Sequence, residues 1–149
     1  MDFHAILNAA SNGLNLHDLG TFGIRVATGS FFFLSGANKL FNKGRHAGLV
    51  KTLVADHVPA VPFMQWWVPG WEFIGGAMLA LGILSAFAAS VLSIILLVAC
   101  CAEGRARVAS YAPINRADYI DDWLYLPEVI YLLPLATIIL AGGGKFALL

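Results

Sequence analysis

Long apolar runs separated by short polar segments fill most of the 149-residue chain. The first, residues 21–41, is interrupted only by Arg25, Asn38 and Lys39 among charged and amide side chains, and ~20 such residues suffice to cross a hydrocarbon core of ~30 Å. The second, residues 61–84, is approached through Pro59 and Pro62, because proline is tolerated where a helix's first N–H groups lack partners anyway. Pro69 and Gly70 interrupt it and predict a kink or a later start of the regular helix, and Trp66, Trp67 and Trp71 mark the headgroup belt. Ser85 and Ala86 are the predicted turn before the third run, residues 87–102, which makes these two runs a tight helical hairpin. The fourth, residues 123–141, has Trp123 and Tyr125 at its mouth and is stopped by Gly142, Gly143 and Gly144, a glycine run that ends a helix.

Between the first two runs the pattern changes. Over residues 42–56, Lys43, Arg45, His46, Lys51 and Asp56 alternate with Leu49, Val50, Leu53 and Val54, and the 49, 50, 53, 54 spacing is one helical stripe. That predicts a short amphipathic helix lying in the interface; a connecting helix in water has the same pattern. Residues 103–122 are the one extended polar stretch, with Arg105, Arg107, Arg116, Asp118, Asp121 and Asp122 around Pro113. The predicted fold is therefore all-α: an integral membrane four-helix bundle, a single domain over residues 1–149, with a short interfacial amphipathic helix between its first and second spans.

Composition supports lipid as the solvent. Hydrophobic residues make up 59% of the chain and charged ones 12%, against about a quarter charged in an ordinary soluble domain. Nine basic residues balance nine acidic ones, so no basic excess exists to track phosphates and nucleic acid is excluded as a partner. Residues 1–20 contain no Lys or Arg and no apolar core of signal-peptide length, so no cleavable signal is expected. Lys43, Arg45, Lys51, Arg105, Arg107 and Arg116 fall on the two loops that share a side, whereas the other side has Lys145. The positive-inside rule then places both loops in the cytoplasm and both termini outside.

Three ionisable residues, Lys39, Glu72 and Glu128, interrupt apolar helices. A charge at the bilayer centre costs at least about 2.5 kcal/mol, so a helix keeps one only when it is paired, protonated or near water. In a four-span topology all three fall toward the loop side, where they can meet at one level and handle protons; structural glue between helices is the plainer role. Arg25 lies about 21 Å from Lys39 along the same helix, as a ligand contact or as an anchor that snorkels to the surface. Gly36, Gly75 and Gly76 offer bare backbone on which another helix, or a flat ligand, can press. Cys100 and Cys101 are adjacent and cannot form a CxxC pair, so they read as small buried hydrophobes; a thiol that reacts with a sulfur substrate is the alternative. His4, His17, His46 and His57 lack metal-ligand spacing, and no metal is expected.

Arg25 in a starting helix, Gly36-Ala37-Asn38-Lys39-Leu40, the proline-rich approach to Glu72-Phe73-Ile74-Gly75-Gly76, Leu79-Ala80-Leu81-Gly82 and the late Glu128 form an ordered set. This set resembles the DoxX family of small bacterial membrane proteins over about residues 23–144. The longer polar loop 105–122 and the adjacent cysteines depart from it. The resemblance implies a multi-pass protein of the bacterial inner membrane. It also implies a redox connection, since relatives include the membrane subunit of a thiosulfate:quinone oxidoreductase.

Two functions stay open. In the first, the chain is the membrane subunit of a redox system, with a quinone between helices, a small sulfur substrate, Glu72, Glu128 and Lys39 managing protons, and Arg25, Gly36, Gly75 and Gly76 contacting the ligand. No haem-ligating histidine pair, iron–sulfur cysteine set or dinucleotide fingerprint is encoded, so electrons would come from a partner or the substrate. In the second, the chain is a non-catalytic membrane anchor that recruits a soluble enzyme through residues 103–122. Lipid, a protein partner and a second copy of the chain are the partners these readings allow.

Overall fold

A computed structural model describes residues 17–110, 123–124 and 126–148. The expectation about a signal in residues 1–20 and most of the 103–122 stretch lie outside the described residues, as do His4 and Tyr125. Among the described residues the chain is all helical, with α1 (His17–Phe41), α2 (Lys43–Ala55), α3 (Val61–Leu81), α4 (Ser85–Ser110) and α5 (Pro127–Ala141).

Local chemistry sets the boundaries. Asn42 caps α2, its Oδ1 accepting from the Gly44 and Arg45 N–H groups at 3.0 and 3.3 Å, an interaction of about 1 kcal/mol. Pro62 sits in the first turn of α3. Pro69 does not end that helix: α3 continues past it, with the proline buried and the Gln65 carbonyl left without its helical donor. The predicted turn at Ser85 and Ala86 falls earlier. Gly82 closes α3 in the left-handed region at φ 77, Leu84 is also left-handed at φ 46, and Ser85 already opens α4. Ile83 and Leu84 extended the apolar run and masked the turn. At its other end α4 continues to Ser110 instead of stopping near residue 102, and α5 begins at Pro127 instead of residue 123.

α1 and α3 cross with their backbones in contact. A Cβ built on Gly29 would lie 2.7 Å from the Gly76 carbonyl oxygen and 2.5 Å from the Ala80 nitrogen; one on Gly36 would lie 2.7 Å from the Pro69 oxygen and 2.4 Å from the Phe73 nitrogen. Rising numbers on α1 meet falling numbers on α3, so the pair is antiparallel. The matched seven-residue steps, 29 to 36 and 73 to 80, keep one seam in register. Phe33 stacks on Phe73 beside it at 4.5 Å.

The other helices complete an up-down order. Gly143, just past α5, lies against Ser85 at the start of α4 and against Arg25 on α1. The core between them is Phe32, Leu79, Ala88, Ala89, Leu92, Leu96, Leu135 and Ile138, with Tyr131 packed against it. By length and composition, the stretch Ser85–Gly104, of mean hydropathy 2.4, is the one described helix able to cross a membrane; Pro127–Ala141 is apolar but shorter. The four-span expectation thus has one span of clear length, because α1 carries Asp18, Arg25 and Lys39 and α3 carries three Trp and two Pro. Only 28% of the apolar Ser85–Gly104 window is buried. Its Ile94 and Val98, with Leu133 and Leu140 of α5, point outward, the reverse of a soluble core helix.

Candidate functional site

Lys39 and Glu72 meet as the sequence suggested. The seam brings the last turn of α1 beside the middle of α3, and the Lys39 Nζ donates to both Glu72 oxygens at 2.6 and 2.7 Å. Ser35, one turn earlier, donates its hydroxyl to Glu72 Oε2 at 3.2 Å. The carboxylate side chain is 7% exposed and the lysine 30%. Glu72 is thus a nearly buried carboxylate in a hydrogen-bonded charge pair rather than an isolated buried ion.

Glu128 does not join them. No hydrogen bond or ion pair connects it to Lys39 or Glu72 among the described residues; instead Arg107 Nη1 donates to Glu128 Oε1, and Oε2 is buried without a partner. The predicted three-residue cluster is therefore two pairs, split because the continuation of α4 past residue 102 brings Arg107 to the first turn of α5. Glu103 lies near Arg107, Glu128 and Asp56, the last at the end of α2. Sequence reading missed Arg107 and Asp56 as members of this group; the helix-favouring Ala and Arg residues after Gly104 were the available signal.

Between the end of α1, α2 and the start of α3 lies a groove of about 400 Å³ lined by Leu40, Phe41, Lys43, His46, Ala47 and Trp66. His46 packs on Trp66 with ring centroids 4.5 Å apart, and its Nδ1 is 3.1 Å from the Lys39 carbonyl oxygen. The groove, open to the surface, thus adjoins the residue that holds Glu72. Aromatic walls with a basic and a tautomeric donor suit a flat ring that carries carbonyl oxygens.

The glycines proposed to face a ligand face protein. Gly36 and Gly76 lie on the seam, where a Cβ on Gly76 would be 2.3 Å from the Phe33 nitrogen, and Gly75 is covered by Leu92 at 3.4 Å. Among the described residues, helix contacts occupy the space beside these three glycines. Arg25 is fully buried at the opposite end, not snorkelling: Nη1 donates to the Gly143 carbonyl and Nη2 to the Phe146 carbonyl at 3.0 Å. Cys100 is half-buried and Cys101 exposed, both free thiols. No metal-binding group of His, Cys, Asp and Glu occurs among the described residues.

No curated protein and no solved structure matches the chain. The model of one family, DoxX, does match, over residues 20–103. That region takes in Arg25, Lys39, Glu72, the groove and the whole α1–α3 seam, in a family that is membrane-associated and often linked to redox functions. With more than half of its length matched, the chain belongs to the DoxX family.

Proposed function

We propose that this protein is the membrane subunit of a redox system in which a quinone ring binds in the Phe41, His46 and Trp66 groove. In this reading α1, α3, α4 and α5 cross the inner membrane with both termini outside. When bound, a quinone supplies the carrier for two electrons and two protons. The chain's residues supply the rest. Phe41 and Trp66 hold the ring, Lys43 and His46 offer donors to its oxygens, and Lys39 links the surface to the buried Glu72 carboxylate. Glu128, whose second oxygen is buried and unpartnered, is a second place at the same end of the bundle where a proton can be held. The small sulfur substrate implied by the family belongs to this reading as well.

The observation that carries the proposal is the aromatic groove beside the Lys39–Glu72 pair. Purification in mild detergent followed by solvent extraction and redox difference spectroscopy tests it. Quinone is expected at near-stoichiometric amounts in the wild type and is expected to be lost from Trp66→Ala. Absence of quinone together with a stoichiometric soluble enzyme in the same preparation would replace this reading with that of a non-catalytic anchor.

A further inference from the structure

At the end of the bundle opposite Glu72 lies a buried cation that meets no anion among the described residues. Arg25 is 0% exposed, and no acidic side chain pairs with it among the described residues. Its two terminal nitrogens meet two backbone carbonyls, of Gly143 and Phe146, which are neutral. Its Nε is buried without a partner, and so is the hydroxyl of Ser85, itself 4% exposed. The Ser85 hydroxyl and the Arg25 guanidinium border the same residue: a Cβ on Gly143 would lie 3.1 Å from Ser85 Oγ and 3.5 Å from Arg25 Nη1. Ser85 also opens α4, so the positive end of a long helix dipole lies at this point. Asp18, the one acidic residue of α1, is taken by Lys145 at 3.2 Å on the outer side. A buried unneutralised guanidinium is costly to keep, and a planar fork of this kind is made for two oxygens of one anion.

The carbonyls that fill the fork belong to a short strap, residues 142–148. Gly142 and Gly144 are left-handed at φ 73 and 70, conformations that cost other residues but not glycine. Beyond the Arg25 bonds, the strap meets the bundle through the Leu148 N–H, which donates to the Gly82 oxygen at 3.1 Å, through Phe146 edge-on to Phe22 at 5.7 Å, through Ala147 beside Gly82 and Gly144 beside Thr21, and through the exposed Lys145–Asp18 ion pair. Arg25 also lies over the Phe22 ring at 5.6 Å, which keeps the guanidinium in place when the strap leaves.

We infer that Arg25 and Ser85 form a binding site for an oxoanion, and that the strap occupies it until the anion displaces the Gly143 and Phe146 carbonyls. Phosphate-type oxygens satisfy this chemistry whether they belong to a free solute or to an anionic lipid headgroup. The site is independent of the quinone groove, about 21 Å away along α1.

The test is amide hydrogen exchange, read by mass spectrometry on peptides covering residues 142–148, with the full-length protein in phosphatidylcholine nanodiscs. One arm adds sodium phosphate against sodium chloride of equal ionic strength; the other replaces part of the lipid with phosphatidylglycerol. Exchange of the strap should accelerate about tenfold in at least one arm, equivalent to about 1.4 kcal/mol of displacement. Phosphate alone identifies a solute site, phosphatidylglycerol alone a headgroup site. The acceleration should vanish in Arg25→Gln. If neither probe accelerates exchange, or if Arg25→Gln responds as the wild type does, the proposal is overturned. Should Arg25→Gln fail to accumulate, the full-length Ser85→Ala decides: the acceleration by the active probe should fall several-fold, and a response equal to the wild type overturns the site.

Discussion

At one end of α1 the Lys39 ammonium lies 2.6 and 2.7 Å from the two oxygens of Glu72, with Ser35 adding a third contact. At the other end the Arg25 guanidinium is buried more completely, and among the described residues its hydrogen bonds go to neutral carbonyls. Both helix turns bear the cost of taking a charge out of water. The first offsets it with an opposite charge from α3, so the pair is complete within the fold. The second offsets it with dipoles from the tail. Burial alone therefore says little about what a charged residue is for; the charge of its partner says more.

The largest expected effect would come from unbalancing the Glu72 end. Lys39→Met strands a buried carboxylate and should cost about 3–5 kcal/mol, toward the lower end because Lys39 is partly exposed. The loss would be seen as reduced membrane abundance and a lower unfolding midpoint in detergent. Adding Glu72→Gln should return most of that stability, while quinone-linked turnover should stay lost because an amide cannot exchange a proton. If the double variant regained turnover, the pair would be structural and the two ends more alike than drawn here.

A middle-sized effect is expected at the seam that separates the two ends. In Gly76→Ala the new Cβ would meet the α1 backbone at 2.3 Å, and helices forced apart in this way lose about 1–3 kcal/mol. Gly75→Ala meets only the Leu92 side chain at 3.4 Å, which can rotate, so its unfolding midpoint should fall distinctly less. Equal shifts would mean that the seam is looser than its geometry.

The smallest effect sharpens the comparison most directly. Ser35→Ala removes a hydrogen bond to Glu72 and should cost about 0.5–1.5 kcal/mol. Ser85→Ala removes a buried hydroxyl that has no partner, so in the absence of an anion it should be neutral or slightly stabilising. A matching loss in both variants would show Ser85 to be bonded in the resting protein.

The Lys39–Glu72 contact was legible in the sequence because two isolated charges in apolar runs, on helices that must be antiparallel, have few other solutions. The seam was half legible: Gly36 and Gly76 stood out, but a single chain does not reveal whether bare backbone faces a ligand or another helix. Arg107 with Glu128 was hidden by polarity, since Glu103 and the residues after it read as a loop although their helix propensity carried α4 onward to Ser110. Of the two readings of Arg25, ligand contact or snorkelling anchor, burial removes the anchor; the three glycines announced a stop and gave no sign that the chain beyond them turns back onto the bundle. Tertiary contacts of that kind carry no periodicity.

The 33-residue separation of Lys39 from Glu72 has a consequence for biosynthesis. At about 5–20 residues per second, roughly 2–7 s pass between the emergence of the lysine and that of its carboxylate. In the proposed bilayer topology α1 must wait through that interval with an unpaired charge. A lysine tolerates the wait, because its flexible stem can hold the ammonium at the headgroups, whereas a short carboxylate fixed at the same depth could not. Placing the cation on the earlier helix and the anion on the later one lets each segment enter the membrane in the order in which the ribosome delivers it.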